Sequence, residues 1–277
     1  FYTALPRDRR DDTLHGAFSD ICIDSQDPLI FHASDVRVRQ SMDIAMRLSV
    51  RAVIFHTNHI ADFRLESYRE GWLKKSGAYW RRLLAEYPAL TVYLENMFDE
   101  EPELLRRLAD DLSDGPRFGV CYDMAHSYLS QTPLREWSQA LLPYVRHLHI
   151  NDNNKTQDTH RPVGSGSLPW NLYAQLFASC PSGQNPSVLI EVRSYEDLAT
   201  SVSYLKEHHL ILRDNKGKIS PVPDQPLKTV LQVFPDILVF ISQHARQNYH
   251  TAAHGLIGKC AFPVPAQKSG MPDGCIL

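Results

Sequence analysis

The chain has no long apolar run. Its longest, such as Ile237–Ile241, reach about five residues, against the roughly 20 that a membrane-spanning helix needs. No apolar segment opens it, so nothing reads as a signal peptide. Cysteine is scarce: Cys22, Cys121, Cys180, Cys260 and Cys275 are scattered, odd in number and form no CxxC pair. That argues against a disulfide framework or a thiolate zinc cluster and suits a reducing cytoplasm. An initiator Met is missing too; the chain opens on Phe1, so a native start upstream is expected. Clustered Lys and Arg are also lacking. Net charge is −3; residues 212–277 carry seven Lys/Arg and four Asp, for +3, which leaves −6 on residues 1–211. An acidic body gives no support to non-specific phosphate-backbone binding, although a nucleic acid held through metals stays open. What is present is ordinary globular composition, 43% hydrophobic and 22% charged with 18 Pro and 13 Gly. Collagen-like, disordered and membrane-spanning classes are excluded, and the expectation is a soluble cytoplasmic enzyme acting on a small molecule.

Residues 1–211 alternate short apolar runs with amphipathic stretches. Strands are expected at Leu14–Phe18, Arg51–His56, Leu90–Glu95, Phe118–Asp123, Val145–Ile150 and Val188–Val192. Helices are expected at Val36–Val50, Ser67–Tyr87, Pro102–Leu112, Pro133–Leu142, Pro169–Cys180 and Tyr195–His208, three of them opening on a proline that a first turn tolerates. Six strand–helix alternations imply parallel β-structure with crossover helices. The fold expected is an α/β (β/α)8 TIM barrel lacking its first one or two βα units, with a doubly wound open sheet as the alternative architecture. Near residue 211 the alternation stops. Residues 1–211 then form a barrel domain, and 212–277, with an apolar segment at Thr229–Ser242, an extension of unknown role.

The chemistry stands at the strand ends. His56, Glu95 and Asp123 close three successive strands, while His149 and Glu191 lie near the ends of two more. In a parallel barrel the carboxyl ends of the strands converge on one face, where active sites are built. Charged groups held there are costly unless paired or metal-bound. His15 falls in the first strand, His126 follows Asp123 as Asp-x-x-His, and Asp158 with His160 form Asp-x-His ahead of Gly164 and Gly166. Imidazoles mixed with carboxylates and no thiolate suit Zn²⁺, Mn²⁺ or Fe²⁺. Nine such residues exceed what one ion can use, which implies two or three ions, and ions about 3.5–4 Å apart suit phosphoester hydrolysis. His147 reads as barrel interior, His32 and His59 as solvated loop residues, and His208 and His209 as a helix end. Trp72, Trp80 and Trp137 read as helix faces on the sheet, and Trp170 as either core or a substrate-facing wall.

The segments LHGAF, VIFHTN, YLEN, VCYDMAH, HLHIND, DTHRPVGSG and LIEV resemble, in order and spacing, the endonuclease IV and sugar-phosphate isomerase/epimerase superfamily, xylose-isomerase-like TIM barrels, over roughly residues 13–207. In endonuclease IV three zinc ions share nine ligands. The resemblance implies a first ion on His15 and His56 with Glu95 bridging to a second, the second completed by Asp123, His149 and Glu191, and a third on His126, Asp158 and His160. Isomerase and epimerase relatives bind one ion through the positions of Glu95, Asp123, His149 and Glu191, and their two glutamates move protons at sugar carbons. Departures from the DNA-repair members are Met97-Phe98-Asp99 after the Leu-Glu-Asn run, Met124-Ala125 inside Asp-x-x-His, and Ser19 beside Phe18. The leading expectation is therefore a metal-dependent phosphoesterase, with Glu95, Glu191 and His126 as catalytic residues and up to three ions, zinc foremost. Its substrate would contain a sugar phosphate, as a small molecule or abasic DNA. The alternative is a sugar or sugar-phosphate isomerase/epimerase with one ion, and a third reading is an inactive metal-binding remnant.

Overall fold

Seven parallel strands follow one another in a single sheet, each paired with the next in sequence. The computed structural model describes residues 12–18, 20–115, 117–178, 186–208, 210 and the strand 237–241. The chain divides into two compact units, 1–241 and 242–277, and every described residue lies in the first. The strands are β1 (Thr13–His15), β2 (Ala52–His56), β3 (Thr91–Glu95), β4 (Phe118–Asp123), β5 (Val145–Ile150), β6 (Ser187–Val192) and β7 (Ile237–Ile241). Between them run α1 (Pro28–Leu48), α2 (Glu66–Glu86), α3 (Glu103–Leu112), α4 (Met124–Leu129), α5 (Leu134–Leu141), α6 (Trp170–Ala178) and α7 (Tyr195–Glu207). The first six strands and their helices form a curled part of a TIM barrel. Among the described residues β1 and β7 are the outer strands of the sheet.

Strand alternation assigns the two faces. Val53, Phe55, Val92, Leu94, Val120, Tyr122, Leu148, Ile150, Val188 and Ile190 point outward and pack under the helices in the main core. Trp80 lies against Phe55 with ring centroids 5.3 Å apart, and Trp72 and Trp137 are likewise buried, as helix faces on the sheet. The alternate positions point inward and form two layers. Ala52, Ile54, Tyr93 and Cys121 make a small inner core. One pleat further towards the carboxyl ends stand His56, Glu95 and Asp123. Register aligns this upper layer, since His56 pairs with Glu95 and Asp123 with His149.

Expected and observed strands agree closely from β2 to β6; β1 is shorter, ending at His15. Five elements differ. Helix α1 begins at Pro28, not Val36, because the Asp27 side chain caps Leu29 and Ile30 and Pro28 fills a first-turn position. The prolines 102 and 133 precede their helices as N-caps, with their carbonyls accepting from Arg106 and Trp137. Helix α4 went unforeseen. Strand β7 lies within the segment set apart as an extension, yet pairs with β6 from Val188–Ile237 to Val192–Ile241. The remaining residues of 212–277, with His244, His250, His254, Cys260 and Cys275, lie outside the described residues, as do His209 and Cys180.

Candidate metal centre

Glu95 stands at the middle of the upper layer and is fully buried. Its Oε1 accepts from His149 Nδ1 at 2.9 Å, and its Oε2 lies 3.6 Å from His15 Nε2 and 3.4 Å from His56 Nε2. His149 Nδ1 is also 3.0 Å from Glu191 Oε2. Asp123, at the end of β4, caps α4 through Oδ1, which accepts from Ala125 N and His126 N. That cap turns His126 back over the strand ends, its Nε2 at 3.4 Å from Asp158 Oδ2, and His160 Nε2 reaches the same oxygen at 2.9 Å. All nine residues singled out in the sequence are thus brought together. Their donor atoms fall into three groups, each within 4.8 Å: His15, His56 and Glu95; Glu95, Asp123, His149 and Glu191; His126, Asp158 and His160.

Three of the imidazoles are oriented by backbone carbonyls. Nδ1 of His15, His126 and His160 lies 3.0, 2.8 and 3.2 Å from the carbonyls of Gly16, Asn96 and Glu191. A carbonyl only accepts, so Nδ1 donates its proton there and Nε2 is the nitrogen that faces the carboxylates; without an ion it donates to them, and on losing that proton it would offer its lone pair to a metal. His160 also holds a φ of 46°, a left-handed backbone that a non-glycine residue adopts at some cost.

Electrostatics fit the same picture. Burial and the Glu95 and Glu191 charges push the Asp123 carboxyl up to about 6. Glu191, despite its burial, is pulled down to about 2 by His149. His160, against the pull of burial, is raised to about 9 by Asp158, and His126, also against burial, stands above the usual histidine range through Asp123 and Asp158. Four carboxylates therefore borrow their counter-charge from imidazoliums, a role that divalent cations would take over. Buried Glu95 Oε2 and Asp158 Oδ1 have no hydrogen-bond donor among the described residues. Oxygen and imidazole donors with two unsatisfied carboxylate oxygens fit a divalent metal.

A second set of residues, given no role from the sequence, holds this layer in place. Asn96 pairs with the Asp123 backbone through both amide atoms, and Asn151 Nδ2 donates to Asp123 Oδ2 at 3.0 Å. Asp152 is the anchor of the loop between β5 and α6. Its Oδ1 accepts from Asn153 N and Leu168 N, and its Oδ2 from Gly164 N and Trp170 Nε1. Its backbone bridges to Arg161. Trp170 is therefore buried and tied inward rather than forming a substrate wall. Gly164 takes a φ of 84° that only glycine adopts freely, and a Cβ on Gly166 would meet the Asp152 carboxylate. The available signal was an Asn immediately after two strand ends, Asn96 after β3 and Asn151 after β5, with Asp152 next to the second.

Beside the centre lies a cleft of about 330 Å³ lined by Phe18, Asp20, Thr57, Asn58, His59, Met97 and Phe98, near the lower limit of small-molecule sites. The Phe18 ring lies 5.5 Å from His15 and 5.7 Å from His56, and the Phe98 ring 6.0 Å from His126. Buried Asp99 ties the two loops together, accepting from Thr57 Oγ1 and Met97 N. His59 was expected in solvent; instead it is half-buried and stacked on Tyr68 at 5.3 Å. His147 is buried below His149, as expected, and burial holds it well below the usual histidine range.

The family model for the xylose isomerase-like TIM barrel matches residues 12–208. Fructoselysine 3-epimerase of Escherichia coli O157:H7 is 26% identical over 148 residues, 48% of this chain and 50% of that protein. The crystal structure of a D-tagatose 3-epimerase-like protein superposes with a TM-score of 0.61 at 22% identity, covering 74% of this chain and 79% of the other. A Thermus thermophilus protein, in crystals soaked with zinc chloride, superposes with a TM-score of 0.58 at 25% identity, covering 70% and 76%. No described helix is long and apolar enough to cross a membrane.

Proposed function

We propose that this chain, which belongs to the xylose isomerase-like TIM-barrel family, is a divalent-metal-dependent sugar isomerase or epimerase. The observation that carries this reading is the pair Glu95 and Glu191, two buried carboxylates that meet at His149 Nδ1 and share one donor group with Asp123. The epimerase relatives support it over the phosphoesterase expectation, since fructoselysine 3-epimerases are among the proteins this chain is similar to. Glu95, Asp123, His149 and Glu191 would hold the ion, zinc foremost, with manganese or iron as the other candidates. When bound, such an ion polarises a sugar carbonyl and so acidifies the neighbouring C–H.

The chain's own residues would do the rest. One of the two glutamates would take the proton from that carbon and the other would return it, within reach of the same bound sugar. Phe18 and Phe98 would wall the cleft and exclude water from the carbanion-like state. Asn96 and Asn151 would keep Asp123 in place while charge shifts around it. Incubating the metal-loaded chain with a panel of ketoses in heavy water tests this. Deuterium should enter at one sugar carbon, and both Glu95→Gln and Glu191→Gln should abolish the exchange.

A second reading, phosphoester hydrolysis, is favoured by one observation: the additional donor groups on either side of the epimerase set, above all His126, Asp158 and His160. There His126 would help to hold an ion at the leaving oxygen. Cleavage of a sugar phosphoester without carbon–hydrogen exchange would select this reading.

A further inference from the structure

Beneath the upper layer lies a donor set that neither reading uses. Cys121 on β4 pairs in register with His147 on β5, and His149 follows one pleat above. One donor atom from each of Cys121, His147 and His149 lies within 4.8 Å of the other two, and all three residues are buried.

Both histidines aim a buried ring nitrogen at this place. His149 spends Nδ1 on Glu95 and Glu191, and its Nε2 is buried without a hydrogen-bond partner. His147 Nδ1 lies 2.7 Å from Ser187 Oγ, which also accepts from Arg51 at 3.2 Å. With Ser187 as acceptor, Nδ1 keeps the proton and the buried, unpartnered Nε2 keeps its lone pair. The Tyr93 ring, 6.0 Å away and 12° from parallel, holds the His147 plane in place. Cys121 packs with Ala52, Ile54 and Tyr93 in the inner core, and its sulfur also faces the His147 and His149 rings, which an apolar plug alone would not call for.

We propose that Cys121, His147 and His149 form an inner ion site that takes one thiophilic cation, Zn²⁺ or Cd²⁺, beneath the outer centre, with the His149 ring joining the two. A sulfur and two imidazole nitrogens match the donor preference of such ions, whereas the oxygen-rich outer set accepts manganese as well. Uptake forms a metal–sulfur bond, breaks the Cys121 S–H bond and releases that proton to solvent; if the outer site is filled through Nδ1 as well, the His149 ring also releases its Nδ1 proton and bridges as imidazolate. The inner site would also fix the His149 ring from below. It stands apart from the choice of reaction, since its test reads ion binding and not turnover.

The test is titration of the metal-free full chain with Cd²⁺, followed by ultraviolet sulfur-to-cadmium charge transfer. One equivalent should raise the band in the wild type and in Cys22→Ser. Cys121→Ser should lose it, and His147→Gln should weaken the cadmium affinity behind it at least tenfold. Absence of the band in the wild type, or its survival in Cys121→Ser, overturns the proposal. Should Cys121→Ser fail to fold, Cys121→Ala serves in its place. X-ray absorption of the zinc-loaded wild type gives an independent reading: a sulfur neighbour at about 2.3 Å is expected, and a shell of nitrogen and oxygen alone overturns the site.

Discussion

The donor residues divide into two regions built in different ways. His56, Glu95, Asp123, His149 and Glu191 stand on β2 to β6, where the register of a parallel sheet fixes their spacing. Asp158 and His160 stand on the loop between β5 and α6, which has no ladder beyond the bridge from Asp152 to Arg161. In the first region the backbone itself is the template, and each donor is placed by a neighbouring strand. In the second, one buried carboxylate, Asp152, does that work through four donors spread from Asn153 to Trp170. A strand-borne site should therefore survive the loss of any single supporting residue, whereas the loop-borne group depends on one.

Glu95→Gln strikes the strand region at its centre and carries the largest expected effect. The amide keeps shape and hydrogen bonding but removes the charge facing His15, His56 and His149. Metal affinity should fall at least about tenfold and turnover by roughly 10²-fold or more, the usual contribution of a general acid–base group. The fold should persist, as circular dichroism would show. Full metal content with full turnover would mean that the strand ends are not the active site.

Asp152→Ala sharpens the comparison from the other side. It leaves three buried donors and the half-buried Gly164 N–H without an acceptor, which should cost roughly 2–4 kcal/mol in denaturant unfolding. Metal analysis should show ions lost from the His126, Asp158 and His160 group while the Glu95 and Glu191 group stays loaded. Equal loss from both groups would contradict the separation of the two regions. Direct removal of the loop donors in Asp158→Ala or His160→Ala should lower the ion count at that group while leaving the Asp152 hydrogen bonds in place. Carbon–hydrogen exchange on a sugar should survive those two changes if the epimerase reading holds, and cleavage of a phosphoester should not.

The same contrast decides what was legible beforehand. The strand region reads directly from the chain, because an ionisable residue ending each apolar run is a one-dimensional signal for a three-dimensional face. His15, His126, Asp158 and His160 were harder, and the resemblance to a known family supplied their grouping. The short helix α4 escaped because six residues, Met124–Leu129, are too few to show a helical period; Asp123 as a cap was its one clue. Strand β7 escaped because a continuous apolar run does not distinguish strand from helix. Asn96, Asn151 and Asp152 escaped because their importance lies in buried partners distant in sequence. Burial of an amide or a carboxylate among backbone donors leaves no periodic trace.

The smallest effect distinguishes the regions by pH in metal-free protein. His147, in the strand layer, is buried and held neutral, its folded pKa well below the ordinary 6.5. The unfolded chain then binds a proton that the folded chain refuses, so stability should fall as pH drops below about 6.5, by up to about 1.4 kcal/mol per unit. His160, in the loop region, behaves oppositely. Although burial opposes its charge, Asp158 raises its folded value to about 9, so its contribution is complete below about 6.5 and disappears as pH rises towards 9. Urea unfolding of chelated wild type, His147→Gln and His160→Gln across pH 5 to 9 reads both slopes. His147→Gln should flatten the acid limb alone, and His160→Gln the alkaline limb alone. Should either change flatten both limbs, the strand layer and the loop would be one coupled network and not two regions.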